Sequence, residues 1–108
     1  MLDIKAWLET AGEPVADTCF LRGEVPELPY VVFLDTITRE GGDMRNLMYR
    51  HSLTVERYSN ADGYSTALEA LFDTKALKYT KEKQWLSDME CYMTTYNLQT
   101  ELIEREVI

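Results

Sequence analysis

The chain has 108 residues, and 19 acidic against 11 basic side chains give it a formal net charge of −8. That length fits a single domain, residues 1–108, which would bury about two-thirds of its unfolded surface. Hydrophobic residues make up 45% of the chain and charged residues 28%, so we do not expect wholesale disorder. The acidic charge argues against sequence-specific nucleic-acid binding and against a polybasic membrane anchor.

The few residues suited to metal or redox chemistry are Cys19, Cys91 and His51. A structural zinc site needs four Cys or His ligands, usually in closely spaced pairs, and the spacing here gives neither a zinc site nor a disulfide framework. Asp3 and Lys5 interrupt any secretory leader, and no segment approaches the roughly 20 apolar residues of a membrane span. We therefore expect a protein that is cytosolic when made.

The first predicted element is a short helix. Ile4, Trp7 and Leu8 have the i, i+3, i+4 spacing of one apolar stripe. Asp3 can cap the start of this helix, and Gly12 is a strong stop signal.

Strands are predicted next. Residues 15–21 are consistent with a short strand that has Cys19 on one face, and residues 23–29 form an extended connector with two prolines. The β-branched and aromatic run at 30–34 predicts a strand buried on both faces. The polar run at 36–45 contains a Gly-Gly pair and predicts a long turn.

The clearest period-2 alternation covers residues 47–58 and predicts a half-buried antiparallel strand. A second helix follows, because apolar residues recur at helical spacing. Its stripe consists of Tyr64, Ala67, Leu68, Leu71 and Phe72.

The last third of the chain is predicted to form strands. A brief strand at 77–79 leads into a charged turn at 80–83, and residues 90–99 alternate again. The tail at 101–108 extends that strand or frays. The order of elements predicts an α+β domain, with an antiparallel sheet of about four strands and two helices packed on one face.

The sequence shows no clear catalytic constellation. His51 falls on the apolar face of its strand, between Tyr49 and Leu53, so we interpret it as a packed side chain. Cys19 and Cys91 are interpreted as small buried hydrophobes.

Two further motifs also favour structural readings. The glycines before Asp43 lack the spacing of a phosphate loop, and Asp35 and Asp43 match no calcium-loop pattern. Asp35 is expected to end a strand or to cap a turn.

Five segments in order carry a family resemblance: residues 29–35 (PYVVFLD), 51–58 (HSLTVERY), 67–71 (ALEAL), 78–80 (KYT) and 90–96 (ECYMTTY). Together they resemble the small tail-completion or tail-terminator proteins of long-tailed bacteriophages and prophages. The resemblance extends from about Ile4 to Leu98 and rests on element order and an aromatic and acidic pattern.

The resemblance implies a non-enzymatic structural protein without a cofactor. In that family a small α+β subunit commonly forms a homo-oligomeric ring, often a hexamer, that caps the tail tube and joins it to the head-to-tail connector. It implies tail tube protein and connector proteins as partners. It also implies a location in the tail or neck of the virion, after assembly in the bacterial cytoplasm.

A ring subunit needs polar strand faces and protruding loops that become buried on assembly. We expect such contacts in the predicted 39–45 loop and on the outward face of the 47–58 strand. The candidates are Arg39, Glu40, Asp43, Met44, Arg45, Arg50, Thr54 and Glu56. Two alternatives stay open: a protein-binding adaptor that uses its sheet face, and an enzyme that relies on His51 and a nearby carboxylate.

Overall fold

A computed structural model describes residues 3–41, 46–61 and 64–107, and these residues form the predicted α+β fold. The elements in chain order are α1 (Ile4–Glu9), β1 (Val15–Asp17), β2 (Tyr30–Glu40), β3 (Asn46–Ser59), α2 (Thr66–Thr74), β4 (Tyr79–Leu86), β5 (Cys91–Leu98) and β6 (Leu102–Val107).

The sheet has six strands in the order β1-β2-β3-β5-β4, with β6 paired to β3. Strands β1 and β2 are parallel, and every other pair is antiparallel. Strands β5 and β6 lie end to end along β3, against residues 54–59 and 46–51 respectively. The prediction of about four strands is wrong, because the tail forms a separate strand, β6, that pairs with β3, and the strands β1 and β4 join the same sheet.

Two predicted turns are strand instead. Strand β2 continues to Glu40, and its residues 36–40 pair with residues 48–52 of β3. Strand β4 runs through the predicted turn at 80–83, and the turn lies at 87–90. Both segments are exposed, so their strand pairing comes from backbone hydrogen bonds that leave no apolar pattern in the sequence.

Local signals set the ends of both helices. The Asp3 carboxylate accepts a hydrogen bond from the Ala6 amide at 3.0 Å, and Gly12 at φ 100° follows α1, as predicted. Helix α2 begins at Thr66, two residues after the predicted start, because the Ser65 hydroxyl caps it at the Leu68 amide. No helix within the described ranges is long and apolar enough to cross a membrane.

One buried cluster joins both helices to one face of the sheet, which we call the helix face. Leu8 from α1 and Phe72 from α2 are fully buried in it, beside Val55 and Tyr96 of the sheet. The opposite face, which we call the open face, carries the alternate residues of each strand. On β2 and β3 these include Val32, Leu34, Thr54, Glu56 and Tyr58.

The sheet extends beyond the helices at one end. Here residues 34–40 of β2, 46–51 of β3 and 102–107 of β6 form a three-stranded extension, which we call the distal ribbon. The whole molecule measures 51 × 30 × 21 Å, and most described side chains on β2 beyond Phe33 are exposed. The part of β2 that belongs to the ribbon therefore contributes little to the core.

Two buried polar joints tie the connecting segments to the sheet. Arg57 of β3 holds Glu13 through two bonds, Nε to Oε1 at 2.9 Å and Nη2 to Oε2 at 2.8 Å. The buried Tyr96 hydroxyl accepts from the Ser65 amide at 3.0 Å and donates to Glu69 at 2.9 Å. These joints fix the α1–β1 connection and the start of α2 against the sheet.

Candidate functional site

The histidine lies between two carboxylates at the base of the distal ribbon. His51 Nδ1 is 2.8 Å from Asp35 Oδ2, and Nε2 is 3.2 Å from Glu104 Oε2. The three side chains come from β3, β2 and β6 and share the helix face. His51 is only 2% exposed, which confirms that it is a packed residue. Asp35 lies inside β2, so the prediction that it ends a strand is wrong.

This arrangement favours a charged imidazolium. Burial alone would lower the pKa of His51, but the hydrogen bonds and negative charges of Asp35 and Glu104 outweigh it and raise that pKa. Because both ring nitrogens contact carboxylates, His51 has no free nitrogen for proton exchange with a substrate. The geometry is that of a structural clamp between strands.

A surface cavity of about 420 Å³ opens beside this clamp and is lined in part by Asp3, Lys5 and Asp17. Asp35 contributes a buried oxygen, Oδ1, for which the described part of the chain provides no hydrogen-bond partner. Across residues 3–41, 46–61 and 64–107, no group of three or more His, Cys, Asp or Glu side chains could hold a metal ion.

The two cysteines have different environments, and both are free thiols. Cys91 is fully buried, as predicted, and burial raises the pKa of its thiol. Cys19 is exposed, so its predicted burial is wrong. The reason is that β1 ends at Asp17 and Thr18 takes a positive φ of 67°, which turns Cys19 out of the strand.

Some predicted contact residues lie together on the distal ribbon. Arg39 and Glu40 are exposed at the end of β2 on opposite faces, and Arg50 lies on β3 opposite Thr38, on the same face as Glu40. Arg50 Nε is 3.1 Å from Glu40 Oε1 in a partly exposed ion pair. Asp43, Met44 and Arg45 lie outside the described residues.

The other two predicted contact residues lie nearer the middle of the open face. Thr54 is partly buried, and its hydroxyl donates to Asn97 at 3.4 Å. Glu56 accepts a hydrogen bond from the Tyr58 hydroxyl at 3.3 Å. Burial, followed by the Glu56 charge, raises the pKa of Tyr58 to about 12, so this phenol is neutral at physiological pH.

The open face carries a groove at the end opposite the ribbon, which sequence reasoning missed. Two adjoining cavities of about 440 and 220 Å³ share Val25, Tyr30 and Met89 in their walls, and together we call them the proximal groove. Tyr30 stacks on Tyr58 with ring centroids 5.0 Å apart, and the edge of Phe20 meets Tyr30 at 5.4 Å.

The charge of the groove is acidic. Its charged lining residues are Glu27 in the larger cavity and Glu56 in the smaller one. Val25 and Met89 are 54% and 49% exposed on its rim. One sequence signal could have located its floor. Tyr30 begins one predicted strand and Tyr58 ends another, so antiparallel pairing of these strands brings the two tyrosines side by side.

The chain matches no protein-family model, no curated protein and no solved structure. The candidate site therefore rests on the chain's own geometry, which provides an exposed ribbon at one end and an acidic, aromatic groove at the other.

Proposed function

We propose that the chain is a subunit of a homo-oligomeric ring that completes the tail of a long-tailed bacteriophage or prophage and joins it to the head connector. We take this class of protein from the resemblance of the sequence to tail-completion and tail-terminator proteins. The distal ribbon is the observation that carries the proposal, because a sheet extended beyond its own core provides surface that a neighbouring subunit can bury.

The exposed side chains of the ribbon support this reading. Leu34, Ile37 and Ile103 are 42%, 49% and 54% exposed, although each is a large aliphatic side chain. Leu34 and Ile103 lie on the open face and Ile37 on the helix face, so both faces of the ribbon offer apolar side chains that a neighbouring subunit could cover.

The His51 clamp suits the same function. It joins all three strands of the ribbon at its base through Asp35 and Glu104. A ribbon held rigid before assembly loses less conformational entropy when a neighbour binds it. His51 in this role supports assembly and needs no reaction.

A complementation experiment tests the proposal. Bacteria producing the phage with this gene deleted should yield separate heads and tails in electron micrographs. Adding the purified protein to that lysate should restore joined, infectious particles by at least 100-fold over buffer alone. The Leu21→Asp variant should restore them equally well, because Leu21 is 67% exposed and lies outside both the ribbon and the groove. Normal particle yields without the gene would overturn the proposal.

The proximal groove favours a second candidate, a protein-binding adaptor. Its aromatic floor and acidic lining suit an apolar segment that carries a positive charge. An adaptor would stay a 12.6 kDa monomer while holding its partner, whereas a ring subunit would self-associate alone or on tail tubes.

A further inference from the structure

We propose that the His51 clamp is a pH-dependent latch for β6: the strand stays paired with β3 while His51 is protonated, and it detaches when the ring loses its proton. The latch is a property of a single subunit and would operate in a monomer and in a ring alike. Its failure would therefore leave the proposed function standing.

Strand β6 has little packing of its own. Within the part of the chain that the structure describes, it pairs with β3 alone, along residues 46–51. Of its described side chains, Leu102 packs against the core, Ile103 is 54% exposed and Glu104 enters the clamp. An edge strand that buries so little apolar surface depends strongly on its polar contacts, so the contact between Glu104 and His51 is a substantial part of what holds it.

The chain that enters β6 is fixed, so the strand can detach without unfolding the rest of the sheet. The Gln99 amide donates to the Lys78 carbonyl at 2.7 Å, and the Lys78 amide donates to the Thr100 hydroxyl at 2.9 Å. Strand β5 pairs with a different part of β3, residues 54–59. Detachment would therefore be confined to the residues that follow Thr100.

The two contacts of the imidazole respond differently to the loss of a proton. A neutral imidazole has one N–H donor and one acceptor nitrogen, whereas an ionised carboxylate only accepts. The remaining proton stays on Nδ1, because its contact with Asp35, at 2.8 Å, is the shorter of the two. Nε2 then turns a lone pair toward Glu104 Oε2 at 3.2 Å, and two acceptors repel each other. The attraction that holds β6 to the clamp thus becomes a repulsion.

The surrounding charges act in the same direction. The charged side chains that the start of α1, β1, β2 and β6 place around His51 are Asp3, Lys5, Asp17, Asp35, Arg39 and Glu104. Carboxylates outnumber cations in this set, so a neutral His51 leaves an uncompensated negative cluster, from which the weakly packed β6 can move away. Burial lowers the pKa of His51, but the hydrogen bonds and charges of Asp35 and Glu104 outweigh it, so the latch opens only above the ordinary histidine pKa of about 6.5.

NMR spectroscopy of the wild type from pH 6 to pH 10 follows the latch and the strand together. His51 is the only histidine in the chain, so the imidazole signals give its titration directly. The carbon chemical shifts of residues 102–107 should change from strand values to those of a flexible chain, with the same midpoint as the imidazole. Residues 91–98 of β5 should keep their strand values and serve as the internal control, because β5 pairs with the same strand β3.

Two variants of the clamp separate the latch from a general effect of pH. In Glu104→Gln the side-chain amide can donate to a neutral Nε2, so β6 should stay paired on both sides of the His51 midpoint. In His51→Gln the titrating ring is gone, so the state of β6 should not change between pH 6 and pH 10. Ser52→Ala, at the exposed neighbour of His51 on β3, is the matched control and should behave as the wild type does.

Several results would overturn the latch. Strand β6 could keep its strand shifts above the His51 midpoint, or His51 could stay protonated up to pH 10. A change in β5 that accompanies the change in β6 would report unfolding of the whole domain instead. A Glu104→Gln protein that loses β6 at the wild-type midpoint, or a His51→Gln protein whose β6 still responds to pH, would place the cause outside the contact between Nε2 and Glu104.

Discussion

His51 Nδ1 lies 2.8 Å from Asp35 Oδ2 in a contact that joins β3 to β2 on the helix face of the sheet. Glu104 of β6 holds the other ring nitrogen. One buried imidazole therefore links three strands at the point where the apolar core ends and the exposed ribbon begins. This cluster should affect both stability and assembly, because it also fixes the shape of the surface that we propose as a subunit contact.

The clamp should make stability depend on pH. The pKa of His51 is raised in the folded protein, so its contribution is complete below the unfolded value of about 6.5 and is lost as the pH rises through the folded pKa. The difference in unfolding free energy between wild type and His51→Gln should be largest near pH 6 and smaller at pH 9.

Urea unfolding at pH 6, 7, 8 and 9 measures this difference and avoids the range in which carboxylates usually titrate. Ser52→Ala is the matched control, because Ser52 is the exposed neighbour of His51 on β3 and should give a constant difference. If the difference in unfolding free energy between wild type and His51→Gln instead increased with pH, His51 would be held neutral in the folded protein.

Removing one buried hydroxyl should destabilise the fold. Tyr96→Phe leaves the Ser65 amide and Glu69 without their phenol partner, at a cost of about 1–3 kcal/mol. Tyr92→Phe on the same strand should change the free energy of unfolding by less than about 0.5 kcal/mol. Urea denaturation measures both, and equal small effects would mean that the Tyr96 hydroxyl contributes no net stability.

One substitution should stabilise the protein. Ala76 follows α2 at φ 53°, where the Leu77 amide bonds the Phe72 carbonyl at 2.9 Å, the hydrogen-bond pattern that usually places glycine at this position. Ala76→Gly should therefore add about 0.5–1 kcal/mol. Ala70→Gly, inside the same helix, should cost about the same amount. A loss of stability at both positions would contradict the left-handed geometry of Ala76.

The reactivity of the two thiols tests the finding that Cys19 is exposed and Cys91 is buried. A maleimide should label Cys19 within minutes in the native protein, whereas Cys91 should react only after unfolding, because it is fully buried. Mass spectrometry of the protein labelled before and after unfolding measures the extent of reaction at each thiol. Cys19→Ser is the control and should lose the fast reaction. Two equally fast thiols would contradict the burial of Cys91.

Much of the fold follows from local sequence signals. The Asp3 cap, the Gly12 stop and the alternation along β3 were sufficient to predict α1 and the central strand. Strand β4 was mistaken in part for a turn because its middle is charged and exposed. Edge strands often carry such charges, since these discourage pairing with other chains.

The His51 clamp could have been foreseen only in part. Asp35 is two residues after Phe33 and therefore points to the same face, so the alternation already placed a carboxylate beside the core. Glu104 could not be anticipated, because its position depends on β6 pairing with β3 across 53 residues. The walls of the groove could not be anticipated either, since they come largely from connectors whose paths depend on tertiary packing.

The mass of the assembled protein is the most direct test of the ring. Native mass spectrometry and light scattering would be run on the chain alone and after addition to purified tail tubes. We predict a closed oligomer, a multiple of the 12.6 kDa chain with six copies expected from the family resemblance, either free or at tube ends. A protein that remains a 12.6 kDa monomer and does not bind the tubes would contradict the proposal.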